Sequence, residues 1–502
     1  MNFNLDTLQF ENAGKEPGKL AFAGSDGDLT WHEFEAEVKK LCSVFKETGL
    51  PKGHPVLIYG HKEKLFPVAI TASLTYGVPY IPVDTVMPLE RVKRICEISG
   101  TQLMINCAGK AIDAPVTIQI NPGLKKNGAG KADFSKAIYT HSIGPMAYIM
   151  FTSGSTGEPK GVMIPLQSVR SLVHWMERDY PVDAQTVFMN QAPFSFDISM
   201  VELYSTLQLG GTTVLNDNAV AKNEKEFIDR LKKYNCTFWN STPSFAYTYL
   251  TSQLFSEANL PKLKHFLFAG EELTARLVQR LKRAFPTSKV YNAYGPTEAT
   301  YTNTFIEITD DILEKYSALL PIGYTKWDSK MLVENESGNE EEEGELVIVG
   351  DNVGAGYLNR EDLTTTKFTA RDNMRAFKTG DYGYKRGELV FFTGRRDDQV
   401  KLNGYRIEIG DINRHLEEIP FIAEAVTVPL KVGTTVKKIV AFARLRDKAA
   451  ANKEELKASI AKTLATKLPA YMVPSDIVFL DAFPVNVNHK IDKLKLVEMY
   501  TA

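Results

Sequence analysis

Cysteine is scarce and scattered in this sequence: Cys42, Cys96, Cys107 and Cys236 are the four, and none shows Cys-x-x-Cys spacing. That pattern argues against a zinc ribbon or a disulfide framework and fits a reducing compartment. Neither sign of charge is in excess. Lysine and arginine number 59 against 61 aspartates and glutamates, a net charge of −2, which leaves no electrostatic footprint for nucleic acid or an anionic membrane. No run of about 18 apolar residues occurs, so no membrane-spanning helix is expected. The first residues, Met1-Asn2-Phe3-Asn4-Leu5-Asp6, carry no basic stretch followed by an apolar core, so a secretory leader is not expected and a cytoplasmic location is.

What is present is ordinary for a globular chain: 44% apolar and 24% charged residues. At 502 residues the chain is too long for one core, and two or more domains are expected. Short apolar runs alternate with amphipathic stretches. Pro55–Tyr59 and Gly77–Val83 read as strands, with helices over Leu65–Tyr76 and Pro88–Ser99. Thr30 and Glu33 form a capping box opening a helix to about Lys46. Further short runs start at Val187, Thr212, Phe238, His265 and Lys289, the pattern of parallel sheets covered by helices. From Glu345 the texture turns to hairpins, Glu345–Val349 and Glu388–Thr393, and after Asp397 a smaller α+β alternation follows. Gly123–Lys131 reads as a surface loop, and the acidic run Glu340–Glu343 as a solvated hairpin tip rather than a metal site.

The chemistry concentrates in Phe151-Thr152-Ser153-Gly154-Ser155-Thr156-Gly157-Glu158-Pro159-Lys160-Gly161. Glycines let backbone N–H groups approach oxygen atoms, hydroxyls donate, and a lysine adds charge, the materials of a phosphate cradle. The spacing is not that of the Walker loop, because Pro159 precedes Lys160 and Gly161 follows it. Tyr294-Gly295-Pro296-Thr297-Glu298 offers an aromatic ring for a base and a carboxylate for Mg²⁺, against a bare turn with a solvated glutamate. Asp381, read in a turn between hairpin strands, offers a carboxylate to sugar hydroxyls, against a turn aspartate bonded to its own backbone. Asn190–Asp197 sets two aromatics before a carboxylate. A buried carboxylate needs a cation, and the alternative is Asp197 as an N-cap to a helix over Ile198–Leu207.

In order along the chain these motifs resemble those of the adenylate-forming enzymes: acyl-CoA synthetases, luciferases and the adenylation domains of peptide synthetases. Gly394–Asp397 with Lys401–Arg406 resembles their hinge region, and Asn488-His489-Lys490-Ile491-Asp492 their catalytic-lysine segment. The resemblance implies an α/β fold with a large N-terminal domain, residues 1–396, of helix-covered sheets plus a small β region. A smaller mobile α+β lid, residues 397–502, would follow. It implies ATP and Mg²⁺, with Thr152, Ser153, Gly154, Ser155, Thr156, Gly157 and Lys160 on the phosphates. Asn292, Ala293, Tyr294, Gly295, Pro296 and Thr297 would meet the nucleotide, Glu298 the metal, Asp381 and Arg395 the ribose. Lys490 would contact the nucleotide at the reacting groups, and Asp397 would be the pivot of the lid.

Asp197 resembles the aspartate that binds the substrate's α-ammonium group in the peptide-synthetase branch, with Ala269, Gly270 and Tyr301 in the same pocket. Ser241–Phe245, Phe268–Glu271 and Tyr294–Thr300 resemble the free-standing members of that branch that activate D-alanine. The resemblance implies D-alanine as substrate and the phosphopantetheine thiol of a carrier protein as acceptor, at the start of lipoteichoic acid D-alanylation. Another small amino acid such as L-alanine, activated for a peptide synthetase, is the alternative. Ala269 stands where cysteine is frequent in that branch, Tyr301 where a small aliphatic residue is, His489 in place of glycine and Lys493 in place of arginine. The stretch Lys453–Lys467 reads as a helix with four lysines, a solvated face or a steering surface for an acidic carrier.

Overall fold

The computed structural model of the chain describes residues 2–11, 16–127, 132, 134, 140, 141, 144–154, 158–395, 398–432, 435–446, 452–484 and 491–501. Two compact units form. The first takes in residues 1–85, 96–151 and 161–394, the second residues 86–95, 152–160 and 395–502.

The first unit is built on two large sheets. One has nine strands, and at its heart Val56–Gly60 runs parallel to Tyr80–Asp84 and Leu103–Asn106. Nearly every residue of these three strands is buried, which is why they read as continuous apolar runs rather than alternating ones. Helix Leu65–Tyr76 between the first two has the predicted bounds. Helix Trp31–Thr48 opens on the predicted capping box: the Thr30 side chain accepts from the Glu33 amide, and Glu33 accepts from the Thr30 amide at 2.8 Å.

The other sheet has fourteen strands. A run of six neighbours is parallel: Lys289–Tyr294, His265–Phe268, Phe238–Ser241, Val187–Asn190, Thr212–Leu215 and Leu20–Gly24. Trp239 anchors the core behind it. It is fully buried and packs on Phe227, Phe245, Tyr249, Phe255 and Phe266.

Two expectations are corrected. Asp381 is not in a turn between strands but inside one long strand, Met374–Arg386. The reason is a β-bulge: the register with Glu343–Gly350 shifts between Glu345 and Val347, and Gly380 takes φ 74°. Gly123–Lys131 is not wholly loop, because Lys125–Asn127 forms an exposed edge strand on Ile118–Asn121. Residues 128–131 lie outside the described residues. The acidic run does sit at a hairpin tip, between Ser329–Glu334 and Glu343–Gly350.

The second unit is α+β. A hairpin, Gln399–Leu402 with Tyr405–Glu408, precedes a three-stranded sheet of Ile422–Val432, Thr435–Leu445 and Asp476–Phe479. Ile412 and Leu416 of helix Ile409–Glu417 share a core with Ile460 and Leu464 of helix Lys453–Lys467. On the latter, Lys457 lies 3.3 Å from Asp476 and Lys467 2.6 Å from Glu418, so half of its lysine face is already neutralised. Among the described residues no helix is long and apolar enough to cross a membrane. The four cysteines are free, and burial pushes Cys42 up to about 11 and Cys96 and Cys236 up to about 12. Burial thus disfavours the thiolate, the reactive form, at all four.

Trp239→Ala is expected to cost about 3–5 kcal/mol, the usual scale for emptying a large aromatic site. The measurement is the urea midpoint of the first unit's unfolding, and a midpoint within error of wild type would contradict the packing described.

Candidate active site

Parallel strands end at a common edge, and in α/β sheets ligands bind beyond the carboxyl ends. Here the register puts Asn240, Leu267 and Tyr291 in one row and Ser241, Phe268 and Asn292 in the next. The segments that follow are Ala269-Gly270, Ala293-Tyr294 and, from the neighbouring strand, Gln191–Asp197. Motifs far apart in sequence are thereby gathered on one edge of one sheet. Ala269 is buried, and Gly270 takes φ 87°, the left-handed region open to glycine. Glu271 accepts from the Ser244 amide at 3.0 Å and its hydroxyl at 2.9 Å, tying the Phe268–Glu271 motif to the Ser241–Phe245 motif.

Asp197 opens a short 3₁₀ turn, Asp197–Ser199, before helix Met200–Leu209. Neither element carries a side-chain cap bond, and the N-cap positions are Phe196 and Ser199. The N-cap alternative for Asp197 is therefore not realised. Its charge reaches two buried tyrosines. The Tyr148 and Tyr301 hydroxyls are both held well above the usual phenol range, chiefly by burial, and the Asp197 charge adds to each. Among the described residues the buried Tyr148 hydroxyl has no hydrogen-bond partner.

After Tyr294 the chain turns sharply. Gly295 packs so tightly that a Cβ there would lie 2.6 Å from the Thr302 Cα and against the Tyr301 carbonyl. Asn292 donates to the Pro321 carbonyl at 2.8 Å, Ala293 is buried, and Pro296 and Thr297 lead into the turn Thr297–Ala299. Thr300 and Tyr301 follow with φ 58° and 72°, strained values for a β-branched and a bulky residue. The strain is held by hydrogen bonds: Thr300 donates to the Asn352 carbonyl at 2.6 Å, and Asn352 to the Ala299 carbonyl at 3.1 Å.

Glu298 is fully buried and accepts from the Tyr357 hydroxyl at 2.7 Å, so it is no solvated turn glutamate. Among the described residues no group of three or more His, Cys, Asp or Glu side chains is placed to hold a metal ion. A single buried carboxylate suits Mg²⁺, which keeps waters and leans on substrate phosphates instead of an all-protein cage. The Tyr294 hydroxyl donates to Asp381 at 2.5 Å, and its ring lies 6.2 Å from that of Phe392. The bulge at Gly380 turns Asp381 toward Tyr294, and the Asp381 amide donates to the Thr379 hydroxyl at 2.9 Å.

The remaining predicted positions fall in the second unit. The Ser153 hydroxyl donates to the Arg406 carbonyl at 3.0 Å, and buried Lys160 lies 3.3 Å from Glu408. Thr152 has a buried hydroxyl with no partner among the described residues, and a Cβ on Gly154 would collide with the Glu158 carbonyl. An orphaned hydroxyl beside an obligatory glycine is what a phosphate cradle requires. Arg395 ends strand Leu389–Arg395. Lys493 donates to Asp398 at 2.5 Å. Ser155, Thr156, Gly157, Asp397 and Lys490 lie outside the described residues.

Four polar side chains of the first unit were not anticipated: Lys62, Asn190, Glu202 and Asn240. All are buried beneath the Asp197 segment and hydrogen-bonded together. Burial disfavours both charges, pushing the Lys62 ammonium down and the Glu202 carboxyl up from their ordinary values. The available signal was the lone charged residue, Glu202, inside helix Met200–Leu209.

A family model for AMP-binding enzymes matches residues 10–358, and one for the AMP-binding enzyme C-terminal domain matches residues 412–490. A D-alanine–D-alanyl carrier protein ligase of Bacillus licheniformis is 37% identical over 504 aligned residues, 99% of each chain. One from Bacillus anthracis is 36% identical over 490, 97% of each. Among solved structures, the Vibrio cholerae adenylation domain AlmE in complex with glycyl-adenosine-5'-phosphate shares the fold, with TM-score 0.81 at 20% identity, over 99% of this chain and 96% of that one. The chain therefore belongs to the adenylate-forming AMP-binding enzymes, and within them to the family of D-alanine–D-alanyl carrier protein ligases.

Gly295→Ala forces backbone to move and is expected to cost about 1–3 kcal/mol, as overpacking does. Gly18→Ala, where nothing lies within 4 Å, is the control and leaves the unfolding midpoint unchanged. Equal midpoints for both variants would contradict the close approach at Gly295.

Proposed function

We propose that this enzyme activates D-alanine with ATP and loads it onto a carrier protein. In the first step a carboxylate oxygen of D-alanine attacks the α-phosphorus of ATP. The bond to the β,γ-phosphates breaks, and D-alanyl-AMP and pyrophosphate form. In the second the phosphopantetheine thiol of the carrier, as thiolate, attacks the alanyl carbonyl carbon. AMP leaves and a thioester remains. The reading is supported by full-length relatives of that name and by one observation above all: Asp197 follows the carboxyl edge of the parallel strands, where its charge bears on the buried Tyr301.

In this reading Asp197 pairs with the ammonium group of D-alanine, and Ala269, Gly270 and Tyr301 bound a pocket for a single methyl group. Thr152–Lys160 hold the ATP phosphates, Asn292–Thr297 the base side of the nucleotide, and Asp381 with Arg395 the ribose. Glu298 would hold Mg²⁺, which when bound neutralises phosphate charge. Lys490 brings an ammonium against the carboxylate and α-phosphate oxygens, where negative charge develops as pyrophosphate leaves. A lid of residues 397–502 then turns about Asp397, removes Lys490 and admits the carrier's thiol, so one site runs two reactions. The setting is the cytoplasm, and the product feeds D-alanylation of lipoteichoic acid.

Asp197→Ala is expected to cost about 2–5 kcal/mol in D-alanine kcat/KM, the range for truncating one member of a buried charged pair. An unchanged kcat/KM would remove the ammonium role. Lys490→Ala should slow adenylation by about 100-fold or more, the scale for one transition-state donor. It should spare transfer from supplied D-alanyl-AMP to the carrier. Equal losses in the two half-reactions would contradict the assignment.

A further inference from the structure

Gln191–Asp197 is held from below at both ends. Near its start, the Lys62 ammonium donates to the Ala192 carbonyl and to the Asn190 side-chain oxygen, and it lies 4.3 Å from the Phe194 ring centroid. Just past its end, the Asn240 side-chain nitrogen donates to the Ile198 carbonyl at 2.8 Å. Both ties converge on Glu202, which is fully buried. One Glu202 oxygen accepts from Asn190 at 3.2 Å and the other from Asn240 at 2.9 Å.

This convergence fixes the Asn240 carboxamide. Its nitrogen faces the Ile198 carbonyl, which can only accept, and donates to a Glu202 oxygen as well. Its oxygen must then face the other way, where the Tyr301 hydroxyl donates to it at 3.4 Å. Tyr301 is the bulky residue that departs from the branch, and its backbone is strained. Glu202 thus reaches the Tyr301 hydroxyl through Asn240, two hydrogen bonds away.

We propose that Glu202 is a positioning residue for amino-acid selection, locking Asn240 so that the Asp197 segment and the Tyr301 ring are held together, with Lys62 as its buried counter-charge. The inference rests on Asp197 and Tyr301 facing the amino acid, as proposed above. Glutamine in place of Glu202 has the same shape but presents an N–H where an acceptor stood. Either Asn240 turns over, losing Ile198 and confronting Tyr301 with a donor, or Asn190 turns over and loses Lys62. Burial already disfavours the charged form of Lys62, so loss of its counter-charge can be met by loss of its proton.

The test is pyrophosphate exchange by the full-length chain as Glu202→Gln, Lys62→Met and the double variant, with a thermal melt of each. Glu202→Gln should raise the D-alanine KM by about 10-fold or more, the scale of lost hydrogen bonds to a charged group. The ATP KM should move by less than about twofold, since that binding is not touched. Lys62→Met serves independently if Glu202→Gln fails to fold, and should show the same split. The double variant should be no worse than Glu202→Gln alone, because the residues act as one unit. A folded Glu202→Gln or Lys62→Met enzyme with wild-type D-alanine KM, equal rises in both KM values, or additive losses in the double variant would each overturn the proposal. Failure of wild type to exchange with D-alanine would instead overturn the underlying function.

Discussion

At the carboxyl edge of a parallel sheet the backbone ladder stops, and side chains just beyond it must satisfy one another away from water. Asn240 is where that demand is met. It stands near the end of strand Phe238–Ser241 and reaches three elements: helix Met200–Leu209 through Glu202, the turn after Asp197 through Ile198, and the strained loop after Tyr294 through Tyr301. A carboxamide does this well because it donates on one side and accepts on the other. The site geometry in the first unit depends on that one orientation.

Charge is handled by the same economy. Glu298 is buried against Tyr357, Asp381 against Tyr294, and Glu202 between two asparagines. Each carboxylate receives a hydrogen bond from a neutral donor, which steadies it without consuming its charge. Lys62 is the exception, a buried ammonium whose oxygen partners are neutral and whose counter-charge is reached through Asn190.

Much of this was legible in the sequence. Strands buried on both faces, such as Val187–Asn190 and Thr212–Leu215, show as apolar runs with sharp ends. Glycine and proline punctuate the Tyr294–Thr297 turn, and the Thr30 capping box announces its helix. The bulge that carries Asp381 was not legible, because Thr379-Gly380-Asp381 has the composition of a turn and only the pairing with Glu343–Gly350 keeps it within a strand. Lys62 lies in His61-Lys62-Glu63-Lys64, a charged stretch that reads as solvated. Its burial is decided by Asn190 and Ala192, about 130 residues away in sequence, which no local pattern reveals. The departures at Ala269 and Tyr301 were legible as identities, but the support of Tyr301 by Asn240 is a tertiary fact.

The central claim is that the site selects an amino acid through a carboxylate that its ammonium group must neutralise. ATP–pyrophosphate exchange by the wild-type chain with D-alanine, L-alanine, glycine, D-serine and acetate in parallel tests it most directly. The account predicts the highest kcat/KM with D-alanine and no exchange above background with acetate, which would leave Asp197 without its cation. Exchange with acetate as fast as with D-alanine would contradict the ammonium anchor, and a preference for L-alanine would contradict the choice of enantiomer.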